Sequence, residues 1–219
     1  MRKIFYLAVL ATLIFNTMAH AQNAMAKNDA RKSGFVSVED AAKIALNVGA
    51  KMPVFTLSDS LGKSVSSKDL LKQGNLVVVF YRGAWCPFCN TYLHQLQQNL
   101  PQIKQAGGNL VALSVEPADR SIAIAKKNEL EYTVLSDPNL TVARMFHIVY
   151  QLPDMTNERY MKGGLDLAKY NQTEKAELPI SATYIVDKKG KIVYAYIEPD
   201  YKKRAEPSIL LAELAKLKK

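Results

Sequence analysis

Two cysteines, Cys86 and Cys89, are the only ones in the 219-residue chain, and just Pro87 and Phe88 separate them. A thiol reacts as its thiolate, and an unperturbed cysteine, with a pKa of about 8.5, is mostly protonated at neutral pH. The surrounding pattern supplies what lowers it. Cys86 follows a strand-like apolar run and precedes Pro87, a residue suited to the first turn of a helix. Its sulfur therefore sits where the unpaired N–H groups and the positive end of that helix point, with Arg82 four residues back as a nearby cation. Cys89, one turn further in, falls on the apolar face, is expected to be the better buried, and is placed to attack a mixed disulfide made by Cys86. In this reading Cys86 attacks and Cys89 resolves.

Other uses of the pair are weaker. As a cross-link, so small a loop contributes only roughly 2 kcal/mol, the least that any bridge supplies. As a zinc site, one C-x-x-C gives two of four ligands, and His94 lies about 140° round a helix from Cys89, so it does not complete the set. No metal or other cofactor is expected. His94 and His147 read as ordinary helix residues, because thiol chemistry needs no general base once the thiolate exists.

The first residues set the compartment. Arg2 and Lys3 precede an uncharged run over residues 4–15, and Ala19-His20-Ala21 forms a small-x-small cleavage site, so residues 1–21 read as a secretory signal cleaved after Ala21. That run of 12 residues is short of the roughly 20 needed to span a bilayer, and no stable membrane insertion is expected after cleavage. The mature chain is expected to be periplasmic or secreted, where disulfides persist. Its formal charge of +9 falls to +7 once Arg2 and Lys3 are removed. The basic clusters Lys188-Lys189-Gly190-Lys191 and Lys202-Lys203-Arg204 read as solvated turns, since no aromatic-interleaved stripe or nucleic-acid motif accompanies them.

The elements that must position the cysteines follow from periodicity. Residues 22–46 form an N-terminal extension, polar up to residue 35, with a short helix predicted over 38–47. Residues 51–57 alternate as a strand and turn back at 59–63 into a small hairpin. The Val-rich run 76–81 suits a central strand buried on both faces. From Pro87 the period becomes helical until Gly107-Gly108, with a kink expected at Pro101. Residues 110–115 give a second buried strand, so the cysteines occupy the strand-to-helix turn of a β-α-β unit. Glu116, at the end of that strand, faces the site, as carboxyl ends of sheet strands do. A helix over 118–130, a strand over 132–135 and a helix over 139–146 come next. Periodicity then lapses over 148–178, which reads as an insertion or lid. A hairpin (182–187 and 191–197) and a helix over 207–217, with Ile209, Leu210, Leu214 and Leu217 inward, close the chain.

The order β-α-β followed by β-β-α resembles the thioredoxin-like fold: an α/β architecture with a central mixed sheet flanked by helices, here with an N-terminal hairpin and a central insertion. Phe80-Tyr81-Arg82-Gly83-Ala84-Trp85-Cys86-Pro87-Phe88-Cys89-Asn90 is similar to the active-site stretch of the peroxiredoxin-like branch of the AhpC/TSA family. The resemblance extends to Asn47-Val48-Gly49-Ala50-Lys51-Met52-Pro53-Val54-Phe55-Thr56-Leu57, to Val134-Leu135-Ser136-Asp137-Pro138-Asn139, to Leu178-Pro179-Ile180-Ser181-Ala182-Thr183-Tyr184-Ile185-Val186-Asp187 and to Asp200-Tyr201-Lys202-Lys203-Arg204. It defines one domain over residues 47–219.

Carried over from ordinary peroxiredoxins, which read P-x-x-x-T-x-x-C, the resemblance puts Arg82 at the proline, Cys86 at the threonine and Cys89 at the peroxide-attacking cysteine. Registry with thioredoxins instead makes Cys86 the nucleophile, so the two templates assign the attack to different sulfurs. Ser181 stands where thioredoxins carry a cis-proline and peroxiredoxins an arginine, which leaves Arg82 or Arg204 to supply the guanidinium. Trp85 resembles the tryptophan of W-C-x-x-C and is expected to line the active-site surface.

The resulting expectation is a thiol-based antioxidant enzyme that reduces peroxides through a Cys86/Cys89 redox pair, renewed by a thioredoxin-like dithiol reductant. The same dithiol fits disulfide exchange on exported proteins. A third reading is a redox-sensing binding module that uses 148–178 as its partner surface.

Overall fold

In the run Asn75–Phe80 (β3) every residue is buried, and β3 accordingly lies inside a seven-stranded sheet. The computed structural model describes residues 34–59 and 61–218; the expected secretory signal over residues 1–21 lies outside them. β3 pairs in parallel with Gly108–Ser114 (β4) and antiparallel with Thr183–Val186 (β8), so that Val78 sits between Val111 and Tyr184. Beyond β4 come Thr133–Ser136 (β5), parallel to it, and then the antiparallel hairpin Thr56–Asp59 (β1) and Ser64–Ser66 (β2). Ile192–Tyr196 (β9) completes the other edge beside β8. The sheet is thus mixed, in the order β2-β1-β5-β4-β3-β8-β9, as the thioredoxin-like expectation requires.

Alternation along β3 divides the core into two layers, because successive side chains of a strand point to opposite faces. Leu76, Val78 and Phe80 share a cluster with Phe146, Ile148, Leu178 and Tyr184, in which the Phe80 and Phe146 ring centroids are 5.0 Å apart. Helices Val38–Ile44 (α1), Ser67–Gln73 (α2) and Thr141–Met145 (α6) contribute Ala41, Leu70 and Val142 to that layer. Val77, Val79 and Tyr81 meet Cys89, Leu93 and Leu96 of helix Pro87–Gln98 (α3) on the other face. Helices Leu100–Gln105 (α4), Ala118–Lys127 (α5) and Pro207–Lys216 (α9) complete this second layer with Ile103, Ile124, Leu210 and Leu214.

Several expectations need adjustment. The kink foreseen at Pro101 is a break between α3 and α4 at Asn99, with Pro101 in the first turn of α4, where its missing N–H is tolerated. Residues 52–55 belong to no strand, although Lys51 bridges Lys191, the Met52 N–H donates to the Gly190 carbonyl and the Phe55 carbonyl accepts the Ser67 N–H; Pro53 has no N–H for a ladder, and the strand begins at Thr56. α2, capped by the Ser66 hydroxyl on the Lys68 N–H, was not foreseen. Ile209 is 44% exposed rather than inward; Leu210 and Leu214 alone are fully buried on that face. The stretch 148–178 is ordered: strands Val149–Gln151 (β6) and Glu177–Pro179 (β7) form an antiparallel ribbon that encloses helices Asp154–Lys162 (α7) and Leu167–Asn171 (α8). Its helical period is invisible because α7 buries none of its residues and has no apolar stripe. No helix among the described residues is long and apolar enough to cross a membrane.

Candidate active site

β3 delivers the chain to the carboxyl edge of the sheet, and Tyr81-Arg82-Gly83-Ala84-Trp85 turns it into α3. Cys86 is the N-cap residue, extended at φ −89° and ψ 112°; its N–H donates to the Gly83 carbonyl at 3.1 Å. The Cys86 carbonyl in turn accepts the N–H groups of Cys89 and Asn90, each at 3.1 Å. Pro87 opens the helix as expected and is exposed. The turn is held from two sides. The Asn90 side chain donates to the Ala84 and Cys86 carbonyls at 2.7 and 3.0 Å. Glu116, fully buried beyond the end of β4, accepts the Ala84 N–H at 2.8 Å. Glu116 thus braces the turn and does not touch the sulfurs, and burial raises its pKa against that hydrogen bond.

Both thiols are free and fully buried, so the expected difference in their exposure is absent. Their surroundings differ instead. The Cys89 thiol donates to Cys86, and this bond, with the Cys89 N–H, Arg82 and Arg204, overcomes burial and lowers the Cys86 pKa to about 6. Burial first, and the neighbouring Cys86 sulfur second, push Cys89 well up. Each sulfur has its own guanidinium: Arg82 Nη1 lies 3.9 Å from Cys86 Sγ, and Arg204 Nη2 lies 3.3 Å from Cys89 Sγ. The second nitrogen of the Arg204 fork donates to the carbonyls of Tyr201 and Lys203.

Arg82 is only 3% exposed, and aromatic rings enclose it. Its guanidinium carbon is 4.0 Å from the Tyr201 ring and 4.7 Å from the Trp85 ring, and its Nη2 donates to the Tyr160 hydroxyl at 2.9 Å. Trp85 is half-buried and packs edge-on against Tyr160, so it helps to form this enclosure rather than an open surface. Neither tyrosine emerges from the sequence as a site residue. Tyr160 stands in an aperiodic polar stretch, and Tyr201 carried only its place beside Arg204 in the family-like segment. A groove of about 660 Å³ opens next to Arg204, between Phe88 and Tyr92 of α3 and Lys202 and Ile209. Ser181 is buried, and its hydroxyl has no hydrogen-bond partner among the described residues. His94 is exposed beside Gln98, and His147 lies past the end of α6 at φ 58°; neither takes part in the contacts described for the sulfurs and the two arginines. Among the described residues no three His, Cys, Asp or Glu side chains gather as a metal site.

Comparison with known proteins gives this geometry a lineage. A putative peroxiredoxin of Mycobacterium tuberculosis H37Rv is 29% identical over 150 residues, covering 68% of this chain and 84% of its own. Peroxiredoxin Bcp of Escherichia coli K12 is 30% identical over 103 residues, which is 47% of this chain and 65% of that protein. In three dimensions, peroxidoxin BcpB of M. tuberculosis matches 78% of this chain and 98% of its own, with a TM-score of 0.62 at 20% identity. Peroxiredoxin Q of Xanthomonas campestris matches 80% and 98%, with a TM-score of 0.60 at 18% identity. These structures share the fold. The AhpC/TSA family profile matches residues 48–195, which takes in the turn, both cysteines and Arg82 but stops before Arg204. The profile thus spans the strand-to-helix turn and most of the sheet, and the chain belongs to the AhpC/TSA family.

Proposed function

We propose that the protein is a peroxiredoxin-like thiol peroxidase whose attacking sulfur is Cys86, one helical turn ahead of the family's usual cysteine position. The observation that carries this reading is the division of the two guanidiniums, Arg82 on a thiol lowered to about 6 and Arg204 on a thiol pushed up. The Cys86 thiolate attacks one peroxide oxygen, the O–O bond breaks, and the alkoxide or hydroxide leaves and takes a proton from water; Cys86 becomes a sulfenic acid. Cys89 loses its proton and attacks that sulfur, and the departing hydroxide takes up a proton to leave as water, giving the Cys86–Cys89 disulfide. A thioredoxin-like dithiol reduces the disulfide and is itself oxidised. Names of relatives that include peroxiredoxins support the reaction class.

The test is stopped-flow oxidation of the reduced protein by hydrogen peroxide. Rates well above those of free cysteine at equal thiolate fraction are expected, with Cys86→Ser inert and Cys89→Ser oxidised to the sulfenic acid only. A rate equal to that of free cysteine rejects the peroxidase. A second reading, disulfide exchange on exported proteins, is favoured by Cys86 itself, which stands where ordinary peroxiredoxins hold a peroxide-orienting threonine. Rapid reduction of a protein disulfide by a preparation inert to peroxide establishes it.

Export of the mature chain belongs to the same proposal and rests on Arg2, Lys3, the apolar run and Ala19-His20-Ala21. The intact mass of the exported product should place Gln22 at its N-terminus, and a full-length cytoplasmic product rejects this.

A further inference from the structure

Three segments far apart in sequence meet around Arg82: Trp85 from the active-site turn, Tyr160 from α7, and Tyr201 from the loop after β9. Of the three rings only Tyr160 carries a hydroxyl hydrogen-bonded to the guanidinium, at 2.9 Å from Nη2. The other terminal nitrogen of the same planar fork points at Cys86 Sγ, 3.9 Å away. A guanidinium is rigid, so fixing one nitrogen fixes the direction of the other. Arg82 Nε is buried without a partner among the described residues, and Tyr150 is the further ionisable group beside the guanidinium, its hydroxyl a second hydrogen-bonding partner of Arg82. The Tyr160 ring meets Trp85 edge-on at 5.5 Å between centroids, closing the enclosure round the guanidinium, and the Cys86 sulfur at which that guanidinium points is fully buried. Yet α7, which carries Tyr160, buries no residue, and elements with so little buried surface belong to the low-stability end of a fold.

We propose that Tyr160 positions Arg82 and controls access to Cys86: its hydroxyl aims the guanidinium at the sulfur, and its ring, on a loosely attached helix, shuts out large reactants. This rests on Cys86 being the reacting thiol. With α7 in place the site suits a molecule the size of hydrogen peroxide, and a bulky hydroperoxide or a protein disulfide reaches the sulfur only when α7 lifts. The insertion then sets the balance between the two reactions that the dithiol is able to perform.

Alkylation, read site by site by mass spectrometry, separates the two roles without any peroxide turnover. The reduced full chain is treated across a pH series with iodoacetamide and with a bulky polymer maleimide. Tyr160→Phe keeps the ring and loses the hydroxyl. Its Cys86 midpoint should rise by about half to one pH unit, which slows alkylation about three- to tenfold below the midpoint, with the ratio of bulky to small reagent unchanged. Tyr160→Ala should raise that ratio at least about fivefold, as expected for a steric gate opened on a mobile element. Thermal melting checks that both variants fold, and the Phe variant alone carries the test if the Ala variant does not. An unchanged midpoint in Tyr160→Phe, or an unchanged ratio in a folded Tyr160→Ala, overturns the proposal. The hydrogen peroxide rate is read separately, so a failed peroxidase and a failed gate are told apart.

Discussion

Arg204 reaches across 115 residues to place its Nη2 3.3 Å from Sγ of Cys89, the sulfur that burial holds protonated. A resolving thiol must lose its proton before it attacks, and the guanidinium stabilises the thiolate that results. Arg204→Ala should therefore leave the first oxidation of Cys86 less affected than its resolution, which should slow by about five- to tenfold, near the effect of one pKa unit. Trapping with dimedone after one equivalent of peroxide reads this directly, because the sulfenic acid should accumulate. Arg204→Lys, which keeps the charge without the fork, should recover part of the rate.

Cys86, lowered to about 6, gives the site a pH signature. Its alkylation rate should climb through that midpoint and level off above pH ~7, while Cys89 stays unreactive until well above the ordinary thiol range. The linkage to stability follows from the same shifts. A thiol whose folded pKa is depressed stabilises the fold most above its unfolded value, about 8.5, and loses that contribution as pH falls towards the folded pKa near 6. Cys89 has the opposite sign, because its raised pKa makes the fold less stable as pH climbs above the unfolded value. Denaturant melts of the reduced wild type and Cys86→Ser across pH 6 to 9 should differ by a margin that widens with pH, and a constant margin contradicts the assigned shift.

The strand and helix that create the site were legible because each carries a strong local signal. β3 is a Val-rich run buried throughout, and Cys86-Pro87 marks a helix start by a residue that few other positions tolerate. Glu116 was legible as a strand-end residue, although its task, accepting the Ala84 N–H, depends on a contact across 32 residues. Arg204 and Arg82 were both candidates, but only tertiary packing assigns one to each sulfur. Tyr160 was illegible. It sits on a polar helix, and its contacts are with a buried arginine 78 residues earlier and with Trp85, which periodicity does not record. The two templates disagreed about the attacking cysteine for a related reason: position in a motif does not set a pKa, whereas donors and burial do.

Glu116 offers a test of how firmly the turn is held. Removing its carboxyl in Glu116→Ala leaves the Ala84 N–H without its acceptor, a loss of about 1–3 kcal/mol for a buried polar group. Glu116→Gln retains an acceptor oxygen and spares the fold an acid that burial disfavours, so it should cost less. Thermal melts should rank wild type and Glu116→Gln close together, with Glu116→Ala clearly lower. Equal melting of all three variants shows that the brace contributes nothing to stability.

Gly83 is closely hemmed in by Trp85 and Glu116, and its substitution separates backbone strain from side-chain loss. Its φ of +144° lies in the region that L side chains rarely adopt. A Cβ placed there would collide with Trp85 Nε1 and lie 3.1 Å from the Glu116 carboxyl carbon. Gly83→Ala must therefore move the indole, the brace or the turn itself, and Gly83 also supplies the carbonyl that accepts the Cys86 N–H. Trp85 is the only tryptophan in the chain, so its emission reports the displacement without interference. The expected result is a red-shifted, more quenchable Trp85 signal, a stability loss of about 2–4 kcal/mol from combined strain and overpacking, and a Cys86 midpoint raised towards the free-thiol value. Trp85→Phe provides the comparison, since it clears the close contact. If the strain resides in contact with the indole, Gly83→Ala should cost less in the Trp85→Phe background than in wild type. An equal cost in both backgrounds assigns the whole penalty to backbone φ and to the Glu116 side.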